Sequence, residues 1–238
     1  MFTAIPLPSF LWGGACMSLA LPCLPLIGGL TGAVWWGAFE LMIIGEVHIV
    51  LAVAILSAIP FLLTGFLHLD GYMDTCDAVL SRKPLEVKIQ ILKDPHVGSF
   101  AVISLAFLLL LQYAGMYVFF EKAEYPALLI AIAFFSRCCA AEAILTLNVM
   151  KDSSLAKVFS QNTGISHKLF TAVLAILAGA LSFLYAGPVG LAVAGAVVLG
   201  YILATLYVYR EFKGVSGDLT GFAIVVSELC GLITLAVI

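Results

Sequence analysis

An all-α, polytopic bundle of transmembrane helices, with about seven spans, is the fold class the sequence predicts. Three observations predict it. Of the 238 residues, 63% are hydrophobic and only 11% are charged, against about 45–50% and about 25% in soluble domains. The apolar residues gather into runs close to the ~20 residues that cross about 30 Å of hydrocarbon as a helix. The runs are uniformly apolar and do not alternate, which argues against a membrane barrel, and open strand edges cannot be satisfied in lipid.

The predicted spans are 26–45, 47–67, 99–120, 126–147, 169–187, 188–209 and 219–237. Residues 10–25 are apolar but interrupted by Pro22 and Pro25, so they read as a short span, a re-entrant segment or an interfacial one. No polar stretch is long enough to fold alone, so residues 1–238 are expected to form a single membrane domain. The N-terminus lacks a basic region, so a cleaved signal peptide is not expected.

Charge sets the orientation. Nine of the eleven Lys and Arg residues fall on three alternate loops. Arg82, Lys83, Lys88 and Lys93 lie in 68–98, Lys151, Lys157 and Lys168 in 148–168, and Arg210 and Lys213 in 210–218. The positive-inside rule makes these loops cytoplasmic. A net charge of −3 gives no footprint for nucleic acid, so none is expected as a partner. The six cysteines lack CxxC spacing and read as small buried residues.

The chemistry concentrates at His68-Leu69-Asp70-Gly71-Tyr72-Met73-Asp74-Thr75-Cys76-Asp77. Asp70, Asp74 and Asp77 are spaced i, i+4, i+7, which puts them on one face of a helix. Three neighbouring carboxylates raise one another's pKa values, and a divalent cation relieves that conflict. A sulfur-free oxygen set suits a hard ion such as Mg²⁺. Gly71 leaves the backbone room to approach a ligand. His68 is offset from the acidic face and reads as a supporting group or a proton carrier. The competing reading is a solvated acidic loop start.

Other polar residues carry weaker signals. Lys93-Asp94 closes the same loop and offers a cation and a carboxylate, or simply a basic anchor before Pro95. Arg137, beside Ser136 in mid-span, must face a partner or a cavity. Its guanidinium suits phosphate oxygens, and Glu142 or Glu228 would be its structural partner otherwise. Gly214-x-x-Gly217-Asp218-x-x-Gly221 precedes the last span. Its glycines suggest a phosphate loop only weakly, and Asp218 reads equally as a helix cap.

The block Phe66 to Asp77 resembles the G-x-HLDG-x-x-DT-x-D signature of the cobalamin synthase family, the adenosylcobinamide-GDP ribazoletransferases. The resemblance continues in order along the chain. Phe2 to Pro8 is similar to an opening F-x-T-R-L-P-x-P pattern, and Leu24-Pro25-Leu26-Ile27-Gly28 to the next motif. Leu92 to Gly98 resembles M-[KR]-D-S-R-x-G. Ser136-Arg137 matches a paired Ser-Arg. Ser216-Gly217-Asp218-x-x-Gly221 through Glu228 resembles T-G-D-x-x-G-A ending in an acid. Ala4, Ala78, Pro95-His96 and Val225 depart from the pattern.

The resemblance implies a transferase that joins adenosylcobinamide-GDP to α-ribazole or its 5′-phosphate and releases GMP with Mg²⁺. It implies metal ligation by Asp70, Asp74, Asp77, Asp94 and Asp218. It further implies substrate binding by Gly71, Lys93, Ser136, Arg137 and Gly217, and catalytic roles for Asp74, Asp77 and His68. It places the chain in a prokaryotic cell inner membrane, with the site on the cytoplasmic face. Oligomeric state stays open, a homo-oligomer included. Two other classes compete. A membrane alcohol phosphotransferase would show D-G-x-x-A-R, which Asp74 interrupts. An ion-coupled transporter should show related halves, and the chain has no convincing internal repeat.

Overall fold

The computed structural model describes residues 21–150 and 164–238. Lys151 and Lys157, most of the 10–25 segment and the opening motif lie outside the described residues. Among those described, the chain is helical, and one parallel bridge joins Val149 to Val215. The helices are α1 (Leu24–Ile44), α2 (Ile49–Leu63), α3 (Leu67–Leu80), α4 (Leu85–Ile91) and α5 (Ser99–Lys122). They are followed by α6 (Leu128–Thr146), α7 (Ile165–Ala186), α8 (Pro188–Phe212) and α9 (Gly217–Val237).

Six of these, α1 and α5 to α9, are long and apolar enough to cross a membrane. The second predicted span behaves differently. Instead of running through 47–67, α2 stops at Leu63 after 15 residues, and α3 departs at 89°. The stretch 68–98, read from sequence as a loop, holds α3 and α4. The corner has a backbone cause. Gly65 (φ 59°) and Phe66 (φ 62°) are both left-handed, a conformation that an aromatic residue seldom adopts. We read α2 as the span and α3 as lying beyond it, at the membrane edge.

Pro60 sits inside α2 and has no N–H to give the carbonyl four residues back, that of Leu56. Trp35 of α1 fills the gap, its indole Nε1 donating to Leu56 O at 2.8 Å. A bilayer offers no water for an orphaned carbonyl, so this bond lets the proline persist and joins α1 to α2.

The most buried spans are α6 and α9. Helix α1 packs on α6 with glycine at the contact, because a Cβ at Gly32 would come within 2.5 Å of Ile130 Cα. Such close backbone approach supplies packing where no hydrophobic force acts between helices. One core cluster, around Trp35, Phe39, Phe119 and Leu232, fills the half of the bundle away from α3. A second, around Leu24, Val79, Phe212, Leu219 and Phe222, lies under α3.

Candidate active site

The helical spacing read from the sequence is realised in α3. Its buried face carries His68, Gly71, Thr75, Cys76, Ala78 and Val79. At 3.6 residues per turn, Asp70, Asp74 and Asp77 fall on the other side. Asp70 is exposed, and Asp74 and Asp77 are half-buried. Tyr72 fixes the helix in place. It stacks on Phe222 of α9 with ring centroids 5.6 Å apart, and its hydroxyl donates to Ser104 O of α5 at 3.2 Å. Sequence reasoning assigned Tyr72 no role; its position one turn from His68, on the packed side, was the available signal.

Gly71 has a different use from the one its motif suggested. It does not open the backbone to a ligand but admits α9, since a Cβ there would lie 2.8 Å from Asp218 Cα. This contact brings Asp218 to the acidic face. Asp218 is not the cap of α9. Ser216 is, its hydroxyl accepting from Leu219 N at 3.2 Å, which leaves the Asp218 carboxylate exposed in the first turn. Gly217 beside it is exposed, with open space where a Cβ would point. Gly98, at the start of α5, faces Asp77 so closely that a Cβ would land on both carboxylate oxygens.

The electrostatics follow from this crowding. The Asp74 carboxyl is pushed up to about 6, first by burial and then by Asp70, Asp218 and Asp77 in that order. A raised carboxyl among carboxylates marks a place where positive charge is wanted. Among the described residues, no three His, Cys, Asp or Glu side chains stand close enough to hold an ion unaided. The donors are all oxygen and drawn from two helices, which fits a hard ion that keeps waters and takes ligands from a phosphate substrate.

The remaining expected residues separate into two groups. Lys93 and Asp94 lie exposed in the turn before α5. Asp94 is already engaged, at 2.6 Å from His96 Nδ1 and accepting from His96 N at 3.0 Å. Those bonds hold its carboxyl below the usual range. The others are interior. Arg137 is 1% exposed and forms an ion pair with Glu228 of α9. Arg137 also donates to Ser136 Oγ at 2.9 Å, which lies 3.0 Å from Glu228 Oε1. Of the two partners sequence allowed, geometry selects Glu228, so Arg137 and Ser136 lie inside the bundle and not on the acidic surface. His68 is buried behind that surface, its Nε2 without a partner; burial and the nearby Arg137 charge favour its neutral ring.

A polytopic helical membrane protein with carboxylates of two helices gathered on one edge is the class this geometry defines. The chain belongs to the cobalamin-5-phosphate synthase family, whose profile matches residues 1–236. It is 37% identical over 236 residues to an adenosylcobinamide-GDP ribazoletransferase of Clostridium botulinum, covering 98% of this chain and 92% of that protein. A Clostridium perfringens protein of the same name is 37% identical over 238 residues, covering 100% and 95%. One from Geobacillus thermodenitrificans is 32% identical over 226 residues, covering 93% and 86%. No solved structure matches. The chain is thus a membrane transferase of cobalamin biosynthesis.

Proposed function

We propose that this chain joins adenosylcobinamide-GDP to α-ribazole, or to its 5′-phosphate, with release of GMP and a requirement for Mg²⁺. The relatives carry the name of that reaction. The observation that supports the metal is the gathering of Asp70, Asp74, Asp77 and Asp218 on one edge, where burial first and then the three neighbouring carboxylates raise the proton affinity of Asp74.

A ribazole hydroxyl oxygen forms a bond to the phosphorus on the corrinoid side chain. The pyrophosphate bridge bond breaks, and its oxygen departs with GMP. Asp70, Asp74, Asp77 and Asp218 would hold Mg²⁺, which when bound would neutralise charge on the pyrophosphate. Lys93, on the adjoining exposed turn, supplies a cation near the same edge. The hydroxyl proton passes to a carboxylate at the surface. His68 is the poorer candidate for this task, because its imidazole lies on the buried side of α3. Arg137, Ser136 and Glu228 then act by fixing α6 against α9 beneath the site.

A cytoplasmic position for this edge, in the inner membrane of a prokaryotic cell, is part of the proposal, and the bias of Lys and Arg toward these loops supports the cytoplasmic side. The test is GMP release by the purified protein with both substrates. Turnover should require Mg²⁺ and be lost in Asp74→Asn; turnover undiminished by a chelator would overturn the metal assignment.

A further inference from the structure

The corner before α3 holds a side chain that the turn itself does not require. Gly65 and Phe66 are both left-handed, at φ 59° and 62°. Glycine enters that region freely, and a residue with a Cβ enters it at a cost. A second glycine at position 66 would build the same corner without that cost. Backbone strain of this kind gathers at functional sites, and the Phe66 ring is available for use. It is 51% exposed, and among the described residues no other ring stacks on it. The Phe66 carbonyl accepts from Asp70 N at 2.8 Å, which ties the residue to the first turn of α3. At about 100° per residue, position 66 lies within about 80° of Asp70, Asp74 and Asp77 around the helix axis. His68 and Thr75, on the packed face, lie opposite. The row of carboxylates thus begins at an exposed aromatic ring. The start of α5 closes its other end, because Gly98 abuts the Asp77 carboxylate.

We propose that Phe66 is a stacking platform for the planar heteroaromatic base of a substrate whose reacting groups lie at Asp70 and Asp74. The proposal rests on the transferase reading and adds to it the place of a base. Two bases take part in that reaction, the guanine that leaves in GMP and the aromatic base of ribazole. Each is joined through a ribose to the groups that react. One helical turn, about 5.4 Å, separates Phe66 from Asp70, a span comparable with that ribose. Stacking on an aromatic face is tolerant of base identity, so the platform suits either. Contact with the bilayer is the rival use of an exposed ring at the membrane edge. Leu62 and Leu67, exposed on either side, meet that need without left-handed backbone, so the strain at Phe66 favours a base.

The test follows GMP release by the full chain in one detergent and measures KM for each substrate with the other saturating. Phe66→Gly removes the ring and relaxes the backbone. Its thermal midpoint should hold or rise, while at least one KM rises about fivefold or more, the low end of what stacking one base on an aromatic ring contributes. A rise for adenosylcobinamide-GDP assigns guanine to Phe66, and a rise for ribazole assigns the ribazole base. Phe66→Tyr should keep both KM values. Phe66→Leu, apolar but without a π face, should behave like Phe66→Gly. Unchanged KM values in Phe66→Gly would overturn the inference. So would wild-type KM values in Phe66→Leu, which would make the ring an apolar contact with the bilayer. GMP release by wild type tests the transferase reading, and only the shift in KM tests this one.

Discussion

Arg137 and Glu228 form an ion pair between α6 and α9 in the interior of the bundle, with Ser136 Oγ 2.9 Å from the arginine and 3.0 Å from the carboxylate. Removing one partner strands the other charge in a low-dielectric interior, a loss of about 3–5 kcal/mol. Arg137→Met should therefore unfold at markedly lower temperature than wild type. Arg137→Met combined with Glu228→Leu should recover most of the loss, since a well-packed apolar pair can replace a buried ion pair. Differential scanning fluorimetry of the three proteins in one detergent checks this; a double variant no better than the single would show the pair itself to be required.

Gly98→Ala separates activity from stability. The added methyl occupies the position of the Asp77 carboxylate, a half-buried side chain that can rotate away. Stability should change by less than about 1 kcal/mol, while GMP release falls at least tenfold through displacement of Asp77. Gly71→Ala should do the opposite first, because its new Cβ meets the backbone of Asp218 and must push α3 off α9, at about 1–3 kcal/mol.

The raised Asp74 carboxyl predicts how pH and metal interact. Its folded pKa, about 6, exceeds its ordinary value of 3.8, so without metal its contribution to stability is fully present only below that ordinary value and is lost as pH rises from there through 6. A divalent ion replaces the proton and favours the ionised form. Stabilisation by Mg²⁺ should be near zero at pH 5 and grow toward pH 7, and GMP release should fall as pH drops through 6. Thermal midpoints measured with Mg²⁺ and with a chelator across that range check both; in Asp74→Asn the pH dependence should flatten.

Orientation is testable without substrate. In inside-out vesicles, a cysteine placed at Lys83, before α4, should react with an impermeant maleimide, and one at Glu124, after α5, should not. Right-side-out cells should give the reverse.

Much of this arrangement is legible in the sequence because helices in lipid obey length and period. The i, i+4, i+7 spacing of Asp70, Asp74 and Asp77 is a property of one segment, and the structure places it in one helix. Asp218 joins them through a crossing of α3 and α9 at Gly71, which no local pattern encodes. The corner at Gly65-Phe66 escapes sequence reading for a sharper reason: local propensity disfavours a left-handed phenylalanine, and tertiary packing overrides it. The sequence leaves the partner of Arg137 open between Glu142 on the same helix and Glu228 near the far end of the chain, and only the approach of α9 to α6 decides for the distant acid.

The left-handed corner at Gly65 and Phe66 also makes the acidic helix a device with a phase. Everything before it is locked by Trp35 and Leu56, and everything after it winds at about 100° per residue. Inserting one residue between Phe66 and His68 would rotate the aspartates a quarter-turn or more toward the packed interior and bring the His68 face toward water. Inserting one residue between Arg82 and Pro84, past the end of the same helix, would leave every carboxylate of α3 pointing where it does now. Tolerance to length change should therefore be lowest at the corner that sets this phase.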